Sequence, residues 1–251
     1  VSATHSDSLV IIPTYNEIEN VERMIRTVMA LPKAFDLLFV DDGSPDGTAA
    51  KIKELQHEFV GRIHLLERKG KLGLGTAYIA GFRWAIAKRY NYIFEMDCDF
   101  SHNPEDLIHL HAACAEGNAD VAIGSRYITG VNVVNWPMKR VLMSYYASAY
   151  VRMITGMQIR DTTAGFKCYR REVLEGIELD KIKFMGYAFQ IEMKFTAWKC
   201  GYNLVEVPII FYDRTLGTSK MSGKIFREAI FGVIEMKLKS WFRKFPMKEN
   251  L

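Results

Sequence analysis

The sequence predicts an α/β fold: a mixed, mostly parallel sheet flanked by helices, with an amphipathic helix near the C-terminal end. Three observations carry this. The first half alternates short apolar runs with stretches of helical period, the pattern of parallel strands joined by crossover helices. Acidic residues recur just beyond the apolar runs, at Glu17, Asp41, Asp42, Asp97 and Asp99. Residues 220–251 hold eight lysines and arginines against three glutamates, so the net charge of +4 belongs to this last segment.

In order, Leu9–Pro13 is a first strand, and Glu17–Leu31 a helix with Val21, Met24, Ile25 and Val28 on one face. Leu37–Val40 is a second strand, ending in the turn sequence Asp41-Asp42-Gly43-Ser44-Pro45-Asp46-Gly47. Thr48–Phe59 is helical, Ile63–Leu66 a third strand, Leu74–Arg89 a helix, Tyr92–Met96 a fourth strand and Asp120–Gly124 a fifth. Asn103-Pro104 turns the chain into a helix between the last two. Residues 125–138 read as a polar loop and Lys139–Thr155 as a helix. Asp161–Tyr169, Gly186–Cys200 and Leu204–Tyr212 read as mixed elements that close the sheet. Asp213–Gly223 is punctuated by glycine and serine as a loop, and Lys224–Lys244 is a long final helix. No linker separates independent domains, so residues 1–223 are expected to form the catalytic domain and 224–251 the C-terminal helical segment.

The chain has 251 residues, 49% hydrophobic and 25% charged, ordinary for a globular α/β protein. Val1–Ser8 has no apolar core and reads as neither signal peptide nor anchor, and no uncharged stretch approaches the roughly 18 apolar residues of a spanning helix. Cys98, Cys114, Cys168 and Cys200 have neither C-x-x-C nor zinc-like spacing and read as buried free thiols of a reducing compartment.

Asp97 and Asp99 carry the most chemistry. In an extended segment alternate side chains share a face, so both carboxylates point the same way at the carboxyl end of a strand while Cys98 points inward. Open α/β sheets bind ligands at that edge. Two hard oxygen ligands there suit Mg²⁺ or Mn²⁺ bridging a diphosphate. The same spacing also describes a solvated acidic turn, and Asp41 and Asp46 individually read as turn or cap residues.

Several ordered stretches break the tie: Ile12-Pro-Thr-Tyr-Asn-Glu17, Val40-Asp-Asp-Gly-Ser-Pro-Asp-Gly-Thr48, Lys71-Leu-Gly-Leu-Gly-Thr-Ala-Tyr78 and Met96-Asp-Cys-Asp-Phe-Ser-His102. Downstream follow Gly124-Ser-Arg126, Asp161-Thr-Thr-Ala-Gly-Phe166, Gly186-Tyr-Ala-Phe-Gln190 and Arg214-Thr-Leu-Gly-Thr-Ser-Lys220. Over nearly its full length the chain resembles the GT-A, inverting family 2 glycosyltransferases of the dolichol-phosphate (polyprenol-phosphate) mannose synthase type. The resemblance implies that Pro13, Tyr15, Glu17, Val40 and Asp42 hold the guanosine of GDP-mannose. It implies that Asp97, Cys98 through its backbone, and Asp99 surround the sugar diphosphate and the metal, with Asp99 the firmest ligand and Ser101 nearby. Arg126, Arg214 and Lys220 would contact phosphates, Arg214 and Lys220 sharing in catalysis with Asp97 and Asp99. Arg140 and Ser144 resemble the family's acceptor-phosphate pair. The acceptor phosphate is already an anion near neutral pH, so no strong base is required, and His102 reads as structural. Relatives often carry a basic residue just before Gly186, where this chain has Met185 and places Lys183 two residues earlier.

Implied partners are a dolichyl or polyprenyl phosphate, the membrane surface, and a small membrane subunit or a second copy of the chain; no nucleic acid is expected. The implied location is the cytoplasm, peripheral on a membrane's cytoplasmic face. The basic, aromatic final helix would lie among the headgroups. Alternatives at this level are a UDP-sugar donor, a catalytically silent sugar-nucleotide subunit, and a dinucleotide-binding oxidoreductase using Gly73-Leu-Gly75. The last lacks the small residue at Tyr78 and would place its glycines after the third strand.

Overall fold

The computed structural model describes residues 6–213 and 223–248. The chain begins with β1 (Ser8–Thr14), α1 (Ile18–Met29), β2 (Asp36–Asp41), α2 (Thr48–Glu58), β3 (Ile63–Glu67), α3 (Leu74–Ala87) and β4 (Tyr92–Glu95). These four strands are parallel, in the order β3-β2-β1-β4. β1 and β2 are buried along both faces, which is why they read as unbroken apolar runs. Val10 and Ile12 of β1 face one layer, with α1, α2 and the helix α4 (Asp106–Ala115). Leu9 and Ile11 face the other, with α3 and the later helices. The expected apolar face of α1 is fully buried. α3 lies so close to β1 that a Cβ on Gly81 would stand 2.7 Å from Ile11 Cγ2.

The second half contains β5 (Val121–Ser125), β6 (Val133–Val134), α5 (Met138–Thr155), β7 (Lys167–Arg170), α6 (Arg171–Gly176), α7 (Tyr187–Lys199), β8 (Leu204–Pro208), β9 (Phe211–Tyr212) and α8 (Gly223–Ser240). The main sheet runs β3-β2-β1-β4-β7-β5-β8, and β7 is antiparallel to both its neighbours. This central strand is only four residues long and begins and ends in basic residues, so the sequence does not mark it as buried. Its first residue explains the insertion. Lys167 lies opposite Glu95 in the β4–β7 register, and its Nζ is 3.1 Å from Glu95 Oε1, with both residues fully buried. The predicted loop 125–138 contains β6, which pairs with β9 in a separate two-stranded sheet.

The final helix ends at Ser240, four residues earlier than expected. It is attached to the rest of the fold: Val233 and Met236 join Val151 of α5 and Ile191 and Phe195 of α7 in a third apolar cluster. Tyr150 Oη donates to Ile230 O at 2.9 Å, and Lys248 Nζ reaches Asp120 at 2.7 Å. Phe231, Ile234 and Leu238 are nonetheless exposed, so the described residues of α8 do not divide into one apolar and one polar face. All four cysteines are buried and free. Among the described residues no helix is long and apolar enough to cross a membrane.

Lys167→Met leaves the Glu95 carboxylate buried without its cation and is expected to destabilise the fold by about 3–5 kcal/mol, whereas Glu95→Leu/Lys167→Met removes both charges and costs less, its remaining loss coming from the stranded Tyr169 and Gln190 polar groups. Urea unfolding of both variants checks this; equal losses would show that packing, not charge pairing, dominates there.

Candidate active site

Because β1, β2 and β4 are parallel, their carboxyl ends lie along one edge of the sheet. Hydrogen bonds from the first two fix its local shape. Asp41 Oδ1 accepts from Thr14 Oγ1 at 2.9 Å and Ser44 Oγ at 2.6 Å, and Oδ2 accepts from Ser44 N at 2.9 Å. Asp46 accepts from Thr48 N, Thr48 Oγ1 and Ile18 N, so it joins the starts of α2 and α1. Although partial burial opposes it, this bonding holds the Asp46 carboxyl below the usual range. Both residues thus have the turn and cap roles their sequence suggested. Glu17 N donates to Thr48 Oγ1, and Glu17 Oε2 accepts from Asn20 Nδ2 at 3.0 Å.

Of the positions expected to hold a nucleoside, Pro13 and Val40 are partners in the β1–β2 register. Val40 is fully buried and shapes the edge from beneath. Tyr15 is half-buried with Lys71 Nζ 5.2 Å from its ring centroid. Asp42 is held by Arg68, whose Nε donates to Oδ1 at 2.6 Å, while Arg68 Nη1 donates to Thr76 Oγ1 at 2.8 Å. Sequence reasoning missed Arg68. Its signal was position: it follows β3 directly, and its N–H extends the ladder to Asp41 O at 2.8 Å.

β4 ends at Glu95, so Asp97 and Asp99 lie in the loop beyond it rather than in an extended strand. Their environments differ. Asp97 is half-buried, and the Tyr78 hydroxyl lies within its reach; burial first, then the Asp97 charge, pushes that phenol upward. Asp99 is nearly buried, and its Oδ1 accepts from Ser101 N at 3.0 Å and Ser101 Oγ at 2.6 Å. Ser101 thus supports Asp99 directly. Cys98 is buried, as the inward orientation required. Phe100 adopts a left-handed φ of 58° with Arg23 4.4 Å from its ring centroid. His102 closes the turn: Nδ1 accepts from Asp97 N at 3.3 Å, and the ring stacks on Phe166 with centroids 4.8 Å apart. Burial chiefly lowers its pKa to about 4, so the ring is neutral at physiological pH and structural. Among the described residues no three His, Cys, Asp or Glu side chains converge as a metal cage. Two carboxylates with hard oxygens fit instead a divalent cation that completes its shell with diphosphate oxygens and water.

The basic positions are paired. Arg126 donates to Asp161 from Nε and Nη2, each at 2.7 Å, and to Thr163 Oγ1 at 2.9 Å. Burial alone would raise the Asp161 carboxyl, but Arg126 holds it below its ordinary range. Arg126 thereby clamps residues 161–163. Asp161 stood in a recognisable stretch without a role; its role is this clamp. Arg140 lies 4.0 Å from the Trp136 ring centroid and pairs with Asp213 at 2.6 Å, with Ser144 one turn further along α5. Arg214 and Lys220 lie outside the described residues. At Gly73 and Gly75, α3 meets the chain itself: Gly75 N donates to Met185 O at 2.9 Å, and a Cβ on Gly75 would stand 2.8 Å from Phe184 O. These glycines serve close packing and leave no cradle for a dinucleotide, which removes the oxidoreductase reading.

Residues 9–177 match the model of glycosyl transferase family 2. The chain is 49% identical to a polyprenol monophosphomannose synthase from Mycolicibacterium smegmatis, over 91% of this chain and 86% of that protein. It is 46% identical to an undecaprenyl-phosphate mannosyltransferase from Micrococcus luteus, over 90% and 91% of the two chains. Among solved structures, a mannosyltransferase from Pyrobaculum calidifontis in complex with GDP-Man and Mn²⁺ superposes with a TM-score of 0.62 at 16% identity, over 99% of this chain and 67% of that one. Glucosyl-3-phosphoglycerate synthase from Mycobacterium tuberculosis, with Mn²⁺ and UDP-glucose, gives 0.66 at 15% identity, over 94% and 81%. The likeness to both structures is one of GT-A fold. The chain belongs to glycosyl transferase family 2 and is a glycosyltransferase.

Proposed function

We propose that the chain transfers mannose from GDP-mannose to a polyprenyl phosphate such as dolichyl phosphate, giving the β-linked lipid phosphate sugar and GDP. The observation that carries this reading is the Asp97–Asp99 loop at the carboxyl edge, in a chain nearly half identical to enzymes named for that transfer. Asp97 and Asp99 would hold Mg²⁺ or Mn²⁺. Bound there, the cation would supply Lewis-acid stabilisation of the departing diphosphate. Ser101 and His102 fix the loop so that the carboxylates need no reorganisation when the donor arrives. Pro13, Tyr15, Glu17 and Asp42 would line the nucleoside end, with Arg68 setting the orientation of Asp42. Arg140 and Ser144 would receive the acceptor phosphate, with Arg214 and Lys220 assisting. A phosphate anion attacks without a general base, consistent with a His102 that is buried and neutral. One direct displacement inverts the anomeric centre.

The lipid acceptor places the chain at a membrane surface, as a peripheral protein on the cytoplasmic face in this reading. α5 carries Arg140 and Ser144 and also exposes Met138, Leu142, Tyr146 and Met153. α8, bonded to α5 through Tyr150, exposes Phe231 and Leu238, and Trp241 and Phe242 follow just beyond it. An apolar surface of this extent beside the acceptor residues, with Lys237, Lys239, Arg243 and Lys244 near it, suits a headgroup layer. A small membrane subunit or a second copy is the competing cover for the same face.

Asp99→Asn is expected to retain the fold and lose about 2.7–4 kcal/mol of transition-state stabilisation, about 10²–10³ in kcat. Mannose transfer measured with GDP-mannose and UDP-sugars, with and without EDTA, checks metal and donor together. Near-normal turnover by the variant, or full activity in excess EDTA, would falsify the metal assignment.

Arg140→Ala should raise the concentration of lipid phosphate needed for half-maximal rate and leave GDP affinity nearly unchanged. Equal weakening of both, by steady-state kinetics and GDP titration, places Arg140 at the donor instead.

Trp241→Ser/Phe242→Ser should reduce co-sedimentation with anionic vesicles without shifting the melting temperature, because both side chains are exposed. Unchanged co-sedimentation removes this end of the chain from the membrane contact.

A further inference from the structure

Between α7, the second half of α8 and residues 180–184 lies an open cavity of about 470 Å³, none of whose lining residues belongs to the donor or acceptor set above. Its size falls within the about 300–1,000 Å³ of ligand pockets. Four cations line it: Lys181, which pairs with Glu178, and Lys183, Lys239 and Arg243. Lys239 pairs with Glu235 one turn earlier on α8, and Lys183 lines the same cavity from the segment before α7. Two further carboxylates line the cavity: Asp180 pairs with Arg83, and Glu192 is committed to the backbone, accepting from Lys183 N at 2.9 Å and Phe184 N at 3.0 Å. Arg243 is the least satisfied of the four. Among the described residues its buried Nε and Nη2 find no hydrogen-bond acceptor; Glu178 Oε2, itself without a hydrogen bond, stands 3.8 Å from Nη2, an ion pair beyond hydrogen-bond reach. Buried cationic donors without acceptors are rare in folded proteins, and an anion or a water must answer them.

The remaining wall is apolar. Phe184, Phe195, Met236 and Phe245 form it, and Phe242, 89% exposed, stands at the mouth beside exposed Trp241. A free phosphate would satisfy the cations but leave this wall against water. A phosphodiester carrying a hydrocarbon chain satisfies both halves.

We propose that this cavity is a second, non-catalytic anion site, in which Lys183, Lys239 and Arg243 hold the phosphodiester of an anionic membrane phospholipid and the aromatic wall covers the start of an acyl chain. It gives Lys183 a role that its displacement from the position before Gly186 left open. The inference stands apart from the transfer reaction, since no residue of the cavity contributes to the Asp97–Asp99 edge.

The test uses the full chain saturated with GDP and Mn²⁺ and titrated calorimetrically with dihexanoyl-phosphatidylglycerol below its micelle concentration. Inorganic phosphate and dihexanoyl-phosphatidylcholine serve as comparisons. Saturable binding of the phosphatidylglycerol, tighter than either comparison, is expected. Lys183→Gln/Lys239→Gln should weaken it by about tenfold or more, since each lysine near an anionic headgroup contributes about 1 kcal/mol. The melting temperature, and mannose transfer to detergent-dispersed acceptor, should not change in that variant. Unchanged affinity in the double variant overturns the site. Loss of binding in Arg140→Ala instead assigns the phosphate to the acceptor position and also overturns it. Equal affinity for inorganic phosphate overturns the lipid assignment. Absence of mannose transfer by the unmodified chain would refute the proposed reaction and leave the binding result standing.

Discussion

Glu95 ends the strand that leads to Asp97, and it is fully buried. A carboxylate in that position cannot persist alone, because the desolvation cost of an unpaired buried charge is several kcal/mol. The fold answers it from three directions. Lys167 comes from the antiparallel β7, Tyr169 Oη donates to Oε1 at 2.8 Å from the same strand, and Gln190 Nε2 donates to Oε2 at 2.7 Å from α7. Gln190 Oε1 in turn accepts from Lys167 Nζ. The cluster therefore sets which strand lies beside β4, and it docks α7 over that strand. Removing any one member leaves a polar group of the others without its partner, two residues from the functional loop.

The same logic extends outward in steps. Lys194, also fully buried, donates to Ala164 O at 2.6 Å and so holds the stretch after Asp161. Burial first, then the neighbouring Lys167, pushes its pKa well down. Asp161 in turn holds Arg126, whose guanidinium is enclosed by the rings of Tyr127, Trp136 and Phe211. Phe211 also meets the edge of His102, whose Nδ1 receives the Asp97 N–H. A continuous set of packed and hydrogen-bonded groups thus runs from the sheet interior to the backbone of the Asp97–Asp99 loop.

How much of this was legible depends on the residue. β1 and β2 are buried on both faces, so their apolar runs announced them, and the one-faced period of α1 matched its buried side chains. The carboxylates at strand ends were visible because little else places acids there repeatedly. Lys167 was not, since a lysine in a four-residue segment reads as surface, and only the opposing Glu95 makes it a core residue. Pairing of this kind joins residues 72 positions apart, a separation that local pattern does not register. The Arg68–Asp42 and Arg126–Asp161 pairs span 26 and 35 residues, so neither is visible in local pattern. The final helix is legible as an apolar, basic element, but its packing through Val233 and Met236 against α5 and α7 depends on residues far away in sequence.

These ion pairs also rank the cations by what a phosphate would have to displace. Arg126 and Asp161 are almost wholly buried, at 9% and 0% side-chain exposure, so breaking that pair strands a buried charge at a cost of about 3–5 kcal/mol. Arg140 and Asp213 are about one-third exposed, at 32% and 30%, where solvent screening reduces a pair to about 0–1 kcal/mol. Exchange with an incoming phosphate therefore disturbs less at Arg140 than at Arg126, whose departure would leave the Asp161 carboxylate buried without its cation. In the proposed reaction Arg140 is the better placed of these two to change partner.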